Sequence, residues 1–177
     1  MLLVASILMK LMAMPLLLKI GWKDFTTQKI ANSDVLLLLA LGSASMFLAA
    51  LTENSWWNLG LSAIAGALLL VLLFPFWLLR KIGAGDVKLM AVAPLVSSGA
   101  DLLVFAVALL VFTLVTAAIV RNPMLLPSPA FRGYIKHLDR QRVVPFGVPI
   151  SAALIVTISL QLYALMVAPH YSTLPML

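Results

Sequence analysis

Two acidic residues are placed where paired carboxylates could do chemistry. The chain has only six Asp and Glu residues among 177. Asp24 follows the first long apolar run, and Asp86 closes the segment Gly83-Ala84-Gly85-Asp86 between two later apolar runs. Two neighbouring carboxylates do not both ionise readily, because like charge and partial desolvation raise the pKa of one of them. Such a pair can activate a water molecule and protonate a departing amide nitrogen.

The glycines beside Asp86 fit a reactive site, but they also fit an ordinary turn. Gly83 and Gly85 have no Cβ atom, so backbone or substrate could approach Asp86 closely. In the alternative interpretation, Gly83-Ala84-Gly85 is only a turn and Asp86 caps the helix that follows it. A Gly-x-Gly-Asp tetrapeptide is short and occurs often by chance, so these residues alone leave both interpretations open.

The other four acids have simpler explanations. Glu53 and Asp101 fall in short loops, where a solvated charge is the expected role. Asp139 lies among Arg and Lys residues and predicts a surface ion pair, which contributes little stability. Asp34 begins an apolar run and predicts a helix N-cap or a first-turn acid. The two aspartates introduced first are therefore the ones left for chemistry.

The elements that must position these aspartates are membrane helices. The chain is 63% hydrophobic and 10% charged, with a mean hydropathy of +1.12. Soluble domains carry about 25% charged residues, and disordered chains lack the apolar content, so both classes are excluded. An integral membrane protein follows. The absence of cysteine rules out disulfide frameworks and thiolate zinc sites, and the widely separated His137 and His170 do not predict a metal site.

The sequence predicts an all-α, polytopic fold of six transmembrane helices in a single domain, residues 1–177. A bilayer core needs about 20 apolar residues per helix. The predicted spans are Met1–Leu18, Val35–Leu51, Trp57–Leu79, Val87–Ser98, Leu102–Val120 and Phe146–Val167. The fourth has only about a dozen residues and contains Pro94, so it could be a re-entrant element instead.

A few residues inside the spans have structural roles to play. Lys10 lies in the first span and is expected to snorkel or to face protein. Small residues, including Gly42, Gly60 and Gly66, are expected to allow close packing between helices.

The Lys and Arg residues set the predicted orientation. Apart from Lys10, all of them lie in the three loops that follow the first, third and fifth spans. Cytoplasmic loops carry the excess of Lys and Arg. Six crossings therefore place every basic loop, and with them Asp24 and Asp86, at the cytoplasmic face, with both termini outside. The lipid bilayer, rather than a nucleic acid, explains the net charge of +6. The long loop 121–145 is expected to be a flexible or surface-lying cytoplasmic loop.

In this membrane context, three sequence elements resemble the type IV prepilin peptidases, which are membrane aspartic peptidases with a GxGD motif. Gly83-Ala84-Gly85-Asp86-Val87-Lys88-Leu89 is similar to the GxGD element. Asp24 is followed by Ile30-Ala31-Asn32, where the family has Ile-Pro-Asn after its first aspartate. Val144-Pro145-Phe146-Gly147-Val148-Pro149 resembles the family's Pro-aromatic-Gly segment at the start of the last span. Ala31 departs from the usual proline.

The resemblance implies an activity and a site. The activity would be removal of the short basic leader from a prepilin, which also has a membrane helix, at the cytoplasmic face of the bacterial inner membrane. Asp24 and Asp86 would be the catalytic pair, with no metal and no cofactor. The site-shaping or substrate-binding residues implied are Gly83, Gly85, Lys88, Asn32, Pro145 and Gly147; Lys88 would serve in orientation or charge balance.

One difference from the larger family members indicates which form of the family the chain resembles. Those members carry a cytoplasmic insert with zinc-binding cysteine pairs after the first span, and they also methylate the pilin. This chain has a short connection there and no cysteine. It is similar to the peptidase-only form associated with Flp-type, or tight adherence, pili, for which no methyltransferase activity is expected.

Three other functions remain open at this point. A small transporter or channel subunit would show charges at mid-membrane depth or inverted repeats. Lys10 is the only mid-span charge, and no repeat is visible. A non-catalytic pilus-assembly component would not need both aspartates. A GxGD peptidase acting on another substrate, such as signal-peptide remnants, would not need the two other prepilin-like elements.

Overall fold

The chain folds into a bundle of α-helices. The computed structural model describes residues 1–122 and 145–171. Its helices are α1 (Leu2–Thr27), α2 (Asn32–Glu53), α3 (Trp57–Leu78), α4 (Ala84–Ser97), α5 (Leu102–Arg121) and α6 (Gly147–Tyr171), with a 3-10 turn at Gly99–Asp101 between α4 and α5. Most of the predicted basic surface loop 121–145, including Asp139 and His137, lies in residues 123–144, outside the described residues.

The prediction of an all-helical, multi-pass membrane protein is confirmed. Five helices in the described part of the chain, all except α4, are long and apolar enough to cross a membrane. The helix α4 has 14 residues, which gives it a length of about 21 Å and leaves it short of a bilayer core of about 30 Å. The sixth crossing and the orientation of the termini therefore stay predictions.

The short helix α4 is the centre of the bundle. It packs against α2, α3 and α6. From Leu89 to Ser97 no residue of α4 is exposed, and Leu89 and Ala93 are fully buried. The core around them includes Leu38 of α2 and Leu154 of α6. The outer helices thus separate most of α4 from the bilayer, which explains how a helix that is too short to span can still be stable.

Residues with a left-handed backbone conformation end α1, which carries Asp24, and α3, which leads to Gly83. Gln28 has φ 53° and donates its backbone N–H to the carbonyl of Asp24 at 3.0 Å, which ends α1. Arg80 has φ 56°. The N–H of Arg80 donates to the carbonyl of Trp77, and that of Lys81 donates to the carbonyl of Phe76. These two bonds form a Schellman motif, which ends α3 and turns the chain towards Gly83.

Close helix packing was predicted at three glycines, and the structure confirms it at two of them. A Cβ atom on Gly42 would lie 3.0 Å from the carbonyl oxygen of Leu95, and one on Gly66 would lie 2.5 Å from that of Ala91. The helices α2 and α3 therefore both approach the backbone of α4. The prediction for Gly60 is wrong, because nothing lies within 4 Å of its Cβ position.

Polar contacts anchor the far end of α4. Gly99 donates its N–H to Ser62 Oγ at 2.7 Å, near the start of α3. Gln161 of α6 donates to the carbonyl oxygen of Ser97 and to Asp101 Oδ2. Lys10 donates to Gln161 Oε1 at 2.7 Å, which confirms that this lysine faces protein. Asp101 was expected to be a solvated loop charge, but its carboxylate accepts a hydrogen bond from Gln161 of α6.

We predict that Gly66→Ala destabilises the protein and that Gly60→Ala does not. Alanine has the higher helix propensity at both positions. At Gly66 the new Cβ must displace the α4 backbone, and such overpacking costs about 1–3 kcal/mol. Thermal unfolding in detergent, followed by circular dichroism, measures the difference. Equal melting temperatures for the two variants would contradict the close α3–α4 contact.

Candidate active site

Asp24 lies in the last turn of α1, which runs nine residues beyond the predicted end of the first span. Asp24 is buried, with only 4% of the residue exposed. The left-handed residue Gln28 caps this end of α1 by donating its N–H to the carbonyl of Asp24. The last turn is therefore ordered, and its Asp24 side chain is buried in the bundle. A buried carboxylate needs hydrogen-bond donors to keep its charge.

Those donors come from the start of α6. The backbone N–H groups of Gly147 and Val148 hydrogen-bond the Asp24 carboxylate. The first N–H groups of a helix have no partner inside the helix and carry positive partial charge, so they bind anions well. A Cβ atom on Gly147 would lie 2.7 Å from Cγ of Asp24. Only glycine lets the start of α6 come this close, which gives the Pro145-Phe146-Gly147 element a physical reason.

Asp86 lies in the first turn of α4 and hydrogen-bonds the N-cap residue, Gly83. Gly83 is the N-cap residue, and its backbone N–H donates to the Asp86 carboxylate. This is the side-chain half of a capping box, in which an acid in the first turn reaches back to the N-cap N–H. A Cβ atom on Gly83 would lie 2.9 Å from Asp86 Oδ2. Asp86 is therefore part of the cap of α4, while Ala84 and Gly85 are the first residues of the helix rather than a separate turn. The hydrogen bond from Gly83 holds the carboxylate in one place.

The two aspartates meet at one cavity. Its volume is about 340 Å³, and its walls are Asp24, Gln28, Lys29, Ile30, Gly83, Ala84, Gly85 and Asp86. Ile30 fits there because Gly85 has no side chain: a Cβ atom on Gly85 would lie 2.9 Å from Cβ of Ile30. The end of α1, the α1–α2 connection and the start of α4 therefore enclose a space large enough for a peptide segment and water.

Burial raises the pKa of both carboxyl groups. Burial, and next the negative charge of Asp24, raise the pKa of Asp86 from its ordinary value of 3.8 to about 7, although the hydrogen bond from Gly83 lowers it. At neutral pH a large share of Asp86 therefore carries a proton. The pair can then hold one proton and one negative charge, as expected for neighbouring carboxylates.

The other sequence-predicted residues lie around this cavity rather than in it. Lys88 Nζ donates to Asn32 Oδ1 at 3.0 Å and so ties α4 to the start of α2. Both side chains line a separate groove of about 500 Å³ between α2, α3 and α4. Pro145 is buried immediately before α6. None of these three contributes to the walls of the aspartate cavity.

Several features of this region escaped sequence reasoning. Gln28 and Lys29 line the cavity. The only indication of this in the sequence is their position shortly after Asp24. Asp34 is a first-turn acid of α2, as predicted, but the N-cap is Ala31. Asp34 also pairs with Lys19 at 2.6 Å and Lys23 at 3.4 Å, which tie α1 to α2.

Two buried polar atoms mark the interface of α1 and α6. Asp24 Oδ2 and Ser151 Oγ have no hydrogen-bond partner among the residues that the structure describes. Ser151 lies one turn after Gly147 and packs against Gly21, one turn before Asp24. Within residues 1–122 and 145–171, no group of three His, Cys, Asp or Glu side chains could hold a metal ion.

Fold and site together define a multi-pass membrane protein with two acidic side chains gathered at one end of its helices. A family model described as the type IV leader peptidase family matches residues 11–120. The match covers more than half of the chain, so the chain belongs to this family, and the predicted family is confirmed. Membership implies a membrane-embedded peptidase that acts on prepilins. The matched region contains Asp24 and Asp86 but not the start of α6. Searches of the curated proteins and of the solved structures found no match.

We predict that Asp86→Asn stabilises the folded protein, and more so as the pH rises. The raised pKa means that the folded state keeps a proton that the unfolded state has already lost between about pH 4 and pH 7. Wild-type stability therefore falls across this window as the pH rises. Asparagine does not ionise, so the variant does not undergo this loss of stability, and its amide oxygen still accepts from Gly83.

Melting temperatures of both proteins between pH 4 and pH 8 measure this difference. Asp34→Asn is the matched control, because it breaks the ion pairs with Lys19 and Lys23 and should lower stability at neutral pH. A gap between wild type and Asp86→Asn that stays constant with pH would contradict the assignment.

Proposed function

We propose that the protein is an aspartic endopeptidase that removes the leader peptide of a prepilin, with Asp24 and Asp86 as the catalytic pair. One observation carries this proposal: both aspartates border the same cavity, and the charge of one raises the pKa of the other. Membership in the type IV leader peptidase family supplies the reaction and the substrate class. The single domain of residues 1–177 is part of the proposal.

The two carboxyl groups differ in a way that suggests their roles. Burial raises the pKa of Asp24 above its ordinary value, and the two N–H groups that the start of α6 donates act against this rise, so they favour the charged form that a general base needs. Asp86 has the raised pKa and is suited to be the general acid. In the proposed reaction, Asp24 takes a proton from water as the water oxygen attacks the scissile carbonyl carbon. Asp86 then gives its proton to the amide nitrogen as the C–N bond breaks.

The glycines belong to this proposal as site-shaping residues. Gly83 and Gly147 each bring backbone N–H groups onto one aspartate at a distance that no Cβ atom would permit. Gly85 admits Ile30 to the cavity wall. Lys88 and Asn32 act at one remove, by holding the start of α4 against the start of α2. Pro145, buried immediately before α6, belongs to the proposal as a residue that shapes the start of that helix.

The type of prepilin peptidase is also a proposal. The α1–α2 connection, between Thr27 and Asn32, is too short to carry a zinc-binding insert, and the chain has no cysteine. These features favour the short form that cleaves Flp-type prepilins without methylating them. The excess of Lys and Arg in the loops at the aspartate end favours a cytoplasmic catalytic face in the bacterial inner membrane.

The transporter alternative depended on Lys10 as a mid-membrane charge. In the structure this amine donates to the amide oxygen of Gln161, which in turn donates to Asp101. The chain of contacts joins α1, α6 and the turn after α4, so bundle assembly accounts for the lysine.

Asp24→Ala and Asp86→Ala should each abolish prepilin processing while the protein still accumulates in the membrane. Loss of a general acid or base costs about 10²–10⁴-fold in rate. Co-expression with a Flp-type prepilin, followed by the mobility shift of the pilin on a gel, measures processing. Glu53→Gln is the matched control, because Glu53 lies at the opposite end of α2. Processing by either aspartate variant at the wild-type rate would exclude the pair as catalysts.

The pH dependence of cleavage gives a second test. Because the pKa of Asp86 is about 7, kcat/KM for a purified prepilin should fall as the pH rises above neutrality and the general acid loses its proton. The measurement is a pH–rate profile in detergent micelles between pH 5 and pH 9. A rate that keeps rising up to pH 9 would assign the proton donor to another group.

A further inference from the structure

Gln28 keeps an unfavourable backbone conformation at the wall of the aspartate cavity. It ends α1 with φ 53° and ψ 30°, in the left-handed region. A Cβ atom is disfavoured there, so glycine is the usual residue at such a helix end, and asparagine is the next most common. Among the described residues other than glycine, Asn54, Arg80 and Ser98 also have positive φ, but none of these three borders the cavity. Residues with strained backbones cluster at active sites.

The side chain of Gln28 offers an unused hydrogen-bond donor. The residue is half-buried, and within residues 1–122 and 145–171 its side-chain amide has no hydrogen-bond partner. Its backbone N–H donates to the carbonyl of Asp24 at 3.0 Å. The backbone that carries one carboxyl group therefore also fixes the position of Gln28 at the cavity wall.

The proposed reaction needs a donor that neither aspartate supplies. When the water oxygen attacks the scissile carbonyl carbon, the π electrons of the C=O bond move onto the carbonyl oxygen, which becomes negatively charged. Asp24 acts as the base for the water, and the proton of Asp86 goes to the amide nitrogen. A donor placed at the oxygen that becomes charged stabilises the transition state.

We propose that the side-chain amide N–H of Gln28 donates to this oxyanion, which makes Gln28 a third catalytic residue. The inference rests on the proposed function and adds the group that stabilises negative charge on the substrate. As the tetrahedral intermediate collapses, the electrons on the oxygen re-form the C=O bond, the C–N bond breaks, and the nitrogen takes the proton of Asp86. Gln28 transfers no proton in this sequence.

A neutral donor suits this cavity better than a cation. Lys29 lines the same cavity, but its side chain is exposed. An ammonium group drawn in beside the carboxyl groups would lower the pKa of Asp86, whose proton the reaction needs. An amide N–H stabilises the oxyanion without opposing that raised pKa. The N–H of Gly83 is already used, because it donates to Asp86.

Replacing the amide alone provides the first test. Gln28→Met keeps the length of the side chain and removes the donor, so kcat for a purified prepilin should fall about 10²–10³-fold. KM should change little, because the interaction strengthens only in the transition state. Gln28→Asn retains an amide on a shorter side chain and should restore part of the rate. Initial rates of cleavage in detergent micelles measure both constants.

Two results of this first test would overturn the inference. One is a wild-type kcat in Gln28→Met. The other is a loss of kcat in Lys29→Met that is not matched in Gln28→Met, which would assign the donor to the ammonium group.

Glycine at position 28 separates a chemical role from a structural one. Gln28→Gly removes the strain of the left-handed backbone, so the melting temperature should not fall, whereas kcat should fall as in Gln28→Met. Asn54→Gly is the matched control. Asn54 ends α2 with φ 48°, and its N–H donates to the carbonyl of Ala50 at the opposite end of the bundle. This control should cleave prepilin at the wild-type rate. An equal loss of kcat in both glycine variants would attribute the effect to the backbone and contradict the role of the amide.

These measurements separate the inference from the proposed function. If wild-type protein cleaves prepilin and Gln28→Met cleaves it equally fast, the inference fails and the peptidase assignment stands. If wild-type protein cleaves no prepilin, the proposed function fails, and the inference fails with it.

Discussion

Placing two carboxyl groups at one cavity is the constraint on which the rest of this structure depends. Each group loses hydration, and each opposes the ionisation of the other, so the pair is costly unless backbone donors meet it and one proton is retained. The donors come from two helix starts, α6 at Asp24 and α4 at Asp86. A helix start supplies positive partial charge without bringing a Lys or Arg side chain that would neutralise the pair.

The glycine positions follow from that constraint. Backbone donors reach a carboxylate only where no side chain intervenes, and Cβ atoms at Gly83 and Gly147 would come within 3 Å of the aspartate side chains. The two glycines are far apart in sequence and do equivalent work on the two aspartates. The spacing Gly-x-Gly-Asp also has a local reason, since it puts Asp86 three residues after its own N-cap.

Much of the fold could be predicted from the sequence, because a long run of apolar residues predicts a membrane helix. Five long helices lie where apolar runs predicted them, although α1 continues to Thr27 because Lys19, Lys23 and Asp24 all find partners within the bundle. The candidate site followed from the scarcity of acids and from the resemblance of three short motifs.

What could not be predicted depends on contacts between distant segments. Nothing local reveals that Gln161 joins Lys10 to Asp101, or that Asp34 receives two lysines from α1. The cavity wall formed by Gln28 and Lys29 likewise requires the three-dimensional approach of α4 to the α1–α2 connection. Hydropathy also ranks α4 as the weakest helix, because it measures suitability for lipid rather than burial among other helices.

The enclosure of α4 has a mechanical consequence. Membrane helices that face lipid tilt to match bilayers of different thickness. From Leu89 onward α4 has no exposed residue, and it is tied at one end to Asn32 through Lys88 and at the other to Ser62 and Gln161. Its position is therefore set by protein contacts and not by the lipid. The outer helices can adapt to a thinner or thicker membrane while the carboxyl group at the start of α4 keeps its depth and its neighbour.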